Sequence, residues 1–144
     1  MLIAGLRLLC PDGVVRPVIY GEVLAADGSW VKAPFLVDTA ADRTVQSANV
    51  LAALGLQPLG NTPQLSGVGG EAMSVLLQTE VRLTHEGGGK ALFRGQYAAV
   101  TLPESLDMSV LGRDITNLFA VVVDRPGDFV ALVGQRHHYT VAAM

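Results

Sequence analysis

Residues Phe35-Leu36-Val37-Asp38-Thr39-Ala40-Ala41-Asp42-Arg43-Thr44-Val45 carry the side chains whose order most directly implies chemistry. An apolar, strand-like run ends in Asp38 and then breaks into small residues. A carboxylate beside an apolar core loses hydration, so it must be hydrogen-bonded, paired with a cation, or protonated. An acid placed this way is a candidate for acid–base work, although structural ion pairs perturb acids too. Two later segments could act with it. Leu65-Ser66-Gly67-Val68-Gly69-Gly70 lies between β-like stretches, and its repeated glycines suit a turn with positive φ and close backbone contact to a ligand. Ser109-Val110-Leu111-Gly112-Arg113-Asp114-Ile115 runs from apolar residues through a glycine into a helix-like stretch. Its Arg113 carries the side chain best shaped for bidentate pairing with a carboxylate.

Other chemistries find less support. The glycines at 67–70 are not followed by Lys-Ser/Thr or by a helix, as a phosphate-binding loop would require. His137 and His138 are neighbours, and adjacent residues on a strand point to opposite faces. With His85 the remaining histidine and Cys10 the single thiol, no metal site and no cofactor are expected. A Ser/His nucleophile stays open on composition, but no Gly-x-Ser-x-Gly elbow occurs. Cys10 has no disulfide partner in the chain and reads as a small buried hydrophobe.

The elements that must position these residues are short and β-rich. Val14–Ala25 and Trp30–Val37 flank Ala26-Asp27-Gly28-Ser29, a hairpin turn. Met73–Thr84 and Ala91–Leu102 flank Glu86-Gly87-Gly88-Gly89-Lys90, and Val81-Arg82-Leu83-Thr84 alternates as a half-exposed strand does. Ala120–Val123 and Phe129–Val133 form a third hairpin pair. Ser47–Leu54 reads as a short helix with Ser47 at its N-cap and Gly55 just beyond its end, and Asp114–Phe119 as a second. Met1–Cys10 reads as one N-terminal strand ended by Pro11-Asp12-Gly13, because it lacks a basic leader and Arg7 interrupts its apolar run.

The 144 residues, half of them apolar, fit a single domain over 1–144 with a real core. A net charge of −3 without a basic block argues against nucleic acid as a partner. No apolar run approaches the roughly 20 residues of a membrane span, so a cytoplasmic protein without membrane contact is expected.

In this order and spacing, the three motifs resemble the retropepsin-like aspartic peptidases over about residues 15–133. That family has an apolar-Asp-Thr-Gly-Ala motif, a glycine-rich flap, and an apolar-apolar-Gly-Arg-Asp/Asn segment before a helix. The resemblance implies an all-β fold: a closed, mostly antiparallel barrel with one or two short helices. It implies that Asp38 is catalytic and that Thr39 hydrogen-bonds its counterpart across a dimer axis. Gly67, Val68, Gly69 and Gly70 would form the flap that closes over substrate. Arg113 would clamp the loop after the active-site strand through Asp42, and Gly112 would let its segment pass close behind the Asp38 loop. Ala40 departs from the family's usual glycine; it keeps the N–H but adds a methyl and loses freedom at positive φ.

Hydrolysis of a peptide by water needs a base to take a proton from water and an acid to protonate the carbonyl oxygen. Two carboxylates a few ångströms apart do both, since like charges that close share one proton. No other Asp in the chain is followed by Thr or Ser, so the second must come from another copy. The expected function is therefore an aspartic endopeptidase acting as a homodimer on a peptide or protein substrate. The alternative, fed by Ala40, is a catalytically silent retropepsin-fold module for dimerisation or peptide binding.

Overall fold

The computed structural model describes residues 1–60, 65–67, 70–134 and 142. Its strands in chain order are β1 (Leu2–Ala4), β2 (Leu6–Leu9), β3 (Val15–Leu24), β4 (Trp30–Val37), β5 (Val45–Gln46), β6 (Leu65–Gly67), β7 (Gly70–Ala72), β8 (Ser74–Thr84), β9 (Lys90–Val100), β10 (Ser109–Leu111), β11 (Ala120–Asp124) and β12 (Phe129–Val133). Helix α1 (Ala48–Leu54) follows β5 and helix α2 (Arg113–Thr116) follows β10.

Six strands close a barrel in the order β3, β4, β10, β5, β9, β8 and back to β3. Four of the six seams are antiparallel, while β4–β10 and β5–β9 are parallel. The barrel is thus mixed and mostly antiparallel, as the motifs led us to expect. β2 extends the sheet beyond β3, and β1, β12 and β11 form a separate three-stranded sheet.

Local chemistry accounts for the long hairpins. Asp27 Oδ1 accepts hydrogen bonds from Ser29 N at 2.9 Å and Ser29 Oγ at 2.6 Å, and Gly28 takes φ 85°, which turns β3 into β4. β8 and β9 pair without a break from Ser74 opposite Val100 to Thr84 opposite Lys90. Inward residues alternate with outward ones: Ala33, Phe35 and Val37 of β4 and Leu77, Val81 and Leu83 of β8 are buried, whereas Lys32 and Thr84 are exposed. Ile19, Leu54, Leu111, Ile115, Val130 and Leu132 complete the same core. Helix α1 is capped as its sequence predicts, with Ser47 Oγ accepting from Val50 N at 3.4 Å and Gly55 closing it at φ 62°.

Two elements differ from the sequence reading. The N-terminal strand is split at Gly5, so β1 pairs with β12 and β2 with β3. A Cβ at Gly5 would collide with the Val18 carbonyl oxygen and lie 2.8 Å from Ile19 Cγ1, and Gly5 N donates to Val130 O at 2.7 Å. The chain crosses between the two sheets at the one residue small enough to pass. Helix α2 starts at Arg113 and ends at Thr116, short of the expected Phe119. Beyond it Leu118 N and Phe119 N bond three residues back, to Ile115 O and Thr116 O, a tightened turn rather than a further α-helical one.

Candidate active site

Asp38 stands just past the end of β4, where the parallel seam with β10 sets Leu36 beside Val110 and Val37 beside Leu111. That register carries the chain into Asp38 N donating to Leu111 O at 3.2 Å. Val37 is buried in the barrel while Leu36, one residue earlier, is half-buried. Asp38 shares Leu36's side of the strand and is half-buried as well, with Thr39 and Ala40 exposed beyond it. Ala40 N donates to Asp38 Oδ1 at 3.0 Å, and Ala41 N donates to Asp38 O at 3.3 Å. The carboxylate is therefore oriented by the loop that follows it. Ala40 does not occupy the positive-φ region, so its methyl costs no backbone strain, and the N–H it shares with glycine is used.

The loop is pinned to the start of α2. Arg113 N donates to Ala41 O at 2.8 Å, and the Arg113 guanidinium donates through Nη2 to Asp42 Oδ1. Both side chains of that pair are well exposed, so it orients the loop while adding at most about 1 kcal/mol of stability. Gly112 is required for space. Its φ is an ordinary −95°, but a Cβ there would overlap the Arg43 carbonyl and approach Thr44 N to 2.8 Å.

Sequence reasoning missed the buried half of this support. Thr44 is fully buried, and its Oγ1 donates to Asp114 Oδ1 at 2.7 Å while accepting from Gly112 N at 3.1 Å. Thr44 N donates to both Asp114 oxygens, at 2.9 and 3.0 Å. One hydroxyl and one carboxylate thus tie the Asp38 loop, β10 and α2 together. Ser109 Oγ, almost fully buried, accepts Ser47 N at 3.0 Å and joins β10 to the cap of α1. The available signal was an acid in the first turn of a very short helix, which favours a nearby N–H donor. Nothing local marks Thr44 as its partner, 70 residues away.

The glycine-rich segment forms a hairpin in which Gly67 of β6 lies opposite Gly70 of β7. Val68 and Gly69 lie outside the described residues, as do His137 and His138. Thr101 N donates to Met73 O at 3.2 Å, which ties the foot of this hairpin to the end of β9. Among the described residues no group of three His, Cys, Asp or Glu is arranged to hold a metal. Likewise, no helix among them is long and apolar enough to cross a membrane.

A strand-end carboxylate held by a backbone N–H, with exposed small residues beside it, can exchange protons with water, given a second acid. Comparison with known proteins points the same way. EIAV protease, solved in complex with the inhibitor HBY-793, superposes with a TM-score of 0.51 at 23% identity, covering 71% of this chain and 86% of its own. A retropepsin-like aspartic protease from Rickettsia conorii superposes with a TM-score of 0.54, also at 23% identity, covering 92% and 88% respectively. At such identity these likenesses establish the retropepsin-like fold. No curated protein matches the chain. The aspartyl protease family profile matches residues 24–135, a stretch that runs from the end of β3 past β12 and includes all three motifs, and the chain belongs to that family.

Proposed function

We propose that this member of the aspartyl protease family is an aspartic endopeptidase, working as a homodimer with one domain per subunit. Two Asp38 side chains, one from each copy, meet at the two-fold axis and hold one proton between them. The ionised carboxyl takes a proton from a water lying between the pair while the other gives its proton to the scissile carbonyl oxygen. The result is a tetrahedral gem-diol, formed without a covalent intermediate. Thr39 of each copy reaches across the axis to its counterpart, and the hairpin carrying Gly67 and Gly70 closes over an extended peptide bound by strand-like backbone pairing.

The observation that carries this reading is the 3.0 Å bond from Ala40 N to Asp38 Oδ1 on unstrained backbone. It supports an active site over a silent dimerisation or peptide-binding module, because alanine here preserves the donor that glycine would supply. The exposure of Thr39 and Ala40 leaves the loop tip open to a second copy.

Cleavage of an unstructured protein substrate, measured between about pH 3 and pH 7 with and without pepstatin, tests the proposal. Asp38→Asn is expected to lower the rate at least about 100-fold while sedimentation still reports a dimer. A dimer without any pepstatin-sensitive cleavage would hand the fold to the silent-module reading, and a monomer at micromolar concentration would remove the paired acids altogether.

A further inference from the structure

A cavity of about 260 Å³ opens between β3, the end of β4 that leads to Asp38, and the segment entering β10. Its floor is apolar: Leu36 of β4 and Val110 of β10, direct partners across the parallel seam, with Met108 next to them. Leu36 precedes Asp38 by two residues, so the cavity lies on the side of the sheet from which the Asp38 carboxylate projects.

Its charged lining is lopsided. Among the described residues that line it, Arg16 is the one cation, and its guanidinium is already committed. Nη1 donates to Asp12 Oδ1 at 2.9 Å and Nη2 to Asp12 Oδ2 at 2.6 Å. That two-pronged bond holds the Asp12 carboxyl down at about 2, so the pair stays ionised and mutually neutralised through the acid range. Glu104 and Asp107 have no such partner among the described residues. Both sit in the exposed stretch between β9 and β10, where Pro103–Ser105 makes one 3₁₀ turn. The cavity therefore pairs a greasy floor with an acidic rim.

We propose that this cavity is a specificity pocket for a lysine or arginine side chain of the peptide substrate, with Leu36, Met108 and Val110 packing the aliphatic stem and Glu104 and Asp107 receiving the cationic head. The proposal rests on the peptidase reading of Asp38 for its meaning as substrate selection. Lysine and arginine are the side chains that bring an apolar stem and a charged tip together, and they match the two zones of the cavity. An aliphatic side chain of the same length would fill the floor and leave the rim unused. A glutamate would meet two like charges.

The rim carboxylates are exposed, so each ion pair is a modest one, and two together predict a preference of roughly three- to tenfold for Lys over norleucine. The preference should shrink in high salt, because exposed charges are screened. The test uses one unstructured peptide with Lys, Arg, norleucine or Glu at a single position, walked residue by residue around the scissile bond. kcat/KM is read at about pH 6, above the ordinary carboxylate range. The expected result is one position at which Lys and Arg exceed norleucine and Glu is worst. In the double variant Glu104→Gln, Asp107→Asn the Lys-to-norleucine ratio should fall to about one, while Glu86→Gln on the distant β8–β9 turn leaves it unchanged.

Binding of the same peptides to Asp38→Asn protein, read by fluorescence anisotropy, separates this proposal from the peptidase reading. Cleavage without any preference for Lys would overturn the pocket and leave the enzyme standing. Binding that favours Lys, and loses that preference when Glu104 and Asp107 are neutralised, supports the pocket even in a protein that cleaves nothing. Equal binding of all peptides, or none, overturns it.

Discussion

Thr44→Val tests whether one buried hydroxyl holds the Asp38 loop to the rest of the barrel. Valine keeps the branched shape of threonine, so no cavity opens, but two interactions go. The first is the 2.7 Å bond from Thr44 Oγ1 to Asp114, a hydrogen bond to a carboxylate with a net value of about 1.5–3 kcal/mol. The second is the acceptor for Gly112 N at 3.1 Å, and leaving that buried N–H unpaired costs about 1–3 kcal/mol. Thr44 and Gly112 are buried while Asp114 is exposed, so water does not readily replace the hydroxyl at the Gly112 N–H. The expected loss is about 3–5 kcal/mol, a large share of the roughly 5–15 kcal/mol that holds a domain folded. Urea unfolding followed by the fluorescence of Trp30, the single tryptophan, measures it directly. With a slope of about 2 kcal/mol per molar, the midpoint should drop by about 1.5–2.5 M. Protein concentration must be held constant, because association would shift the midpoint by mass action. Thr44→Ser retains the hydroxyl and should lose about 1 kcal/mol, the scale of one buried methyl group. If valine falls within about 1 kcal/mol of wild type, or serine is as damaging as valine, the network does not carry the stability assigned to it.

Three further outcomes follow from the same structure. Gln46 is fully buried in β5, and neither its Oε1 nor its Nε2 has a hydrogen-bond partner among the described residues, so Gln46→Met, similar in shape, should raise stability by about 1–3 kcal/mol in the same urea assay. Gly112→Ala forces a methyl against the Arg43 backbone carbonyl, which cannot swing aside as a side chain would. The loss should reach or exceed the top of the roughly 1–3 kcal/mol range for overpacking, visible as collapse of near-ultraviolet circular dichroism. Burial, reinforced by the charges of Asp114 and Glu80, pushes the Tyr97 hydroxyl up to about 12. The unfolded chain then gives up this proton more readily than the folded one. The contribution is complete below about pH 10 and fades as pH rises toward 12, and Tyr97→Phe should flatten that slope in a pH series of urea midpoints.

Much of the barrel was legible because its hairpins are local. Asp27-Gly28-Ser29 between two β runs announces a turn from a handful of residues, and the capping of α1 by Ser47 and Gly55 involves contacts no more than a few positions apart. Val81-Arg82-Leu83-Thr84 states its own inner and outer faces. The order of the three motifs pointed to the family, and the pairing of Asp42 with Arg113 was anticipated through that resemblance.

Tertiary structure alone decided the rest. β10 is three residues long and β5 two, too short for any periodic signal, yet they supply both parallel seams that close the barrel. The split at Gly5 exists because Val18 and Ile19 approach from another strand, and Thr44 matters because Asp114 lies against it. A turn or a cap is decided by energies between neighbours in the chain, which their residue types state openly. A seam, a close approach or a buried hydrogen bond is decided by which distant segment arrives, and that depends on every other strand having taken its place.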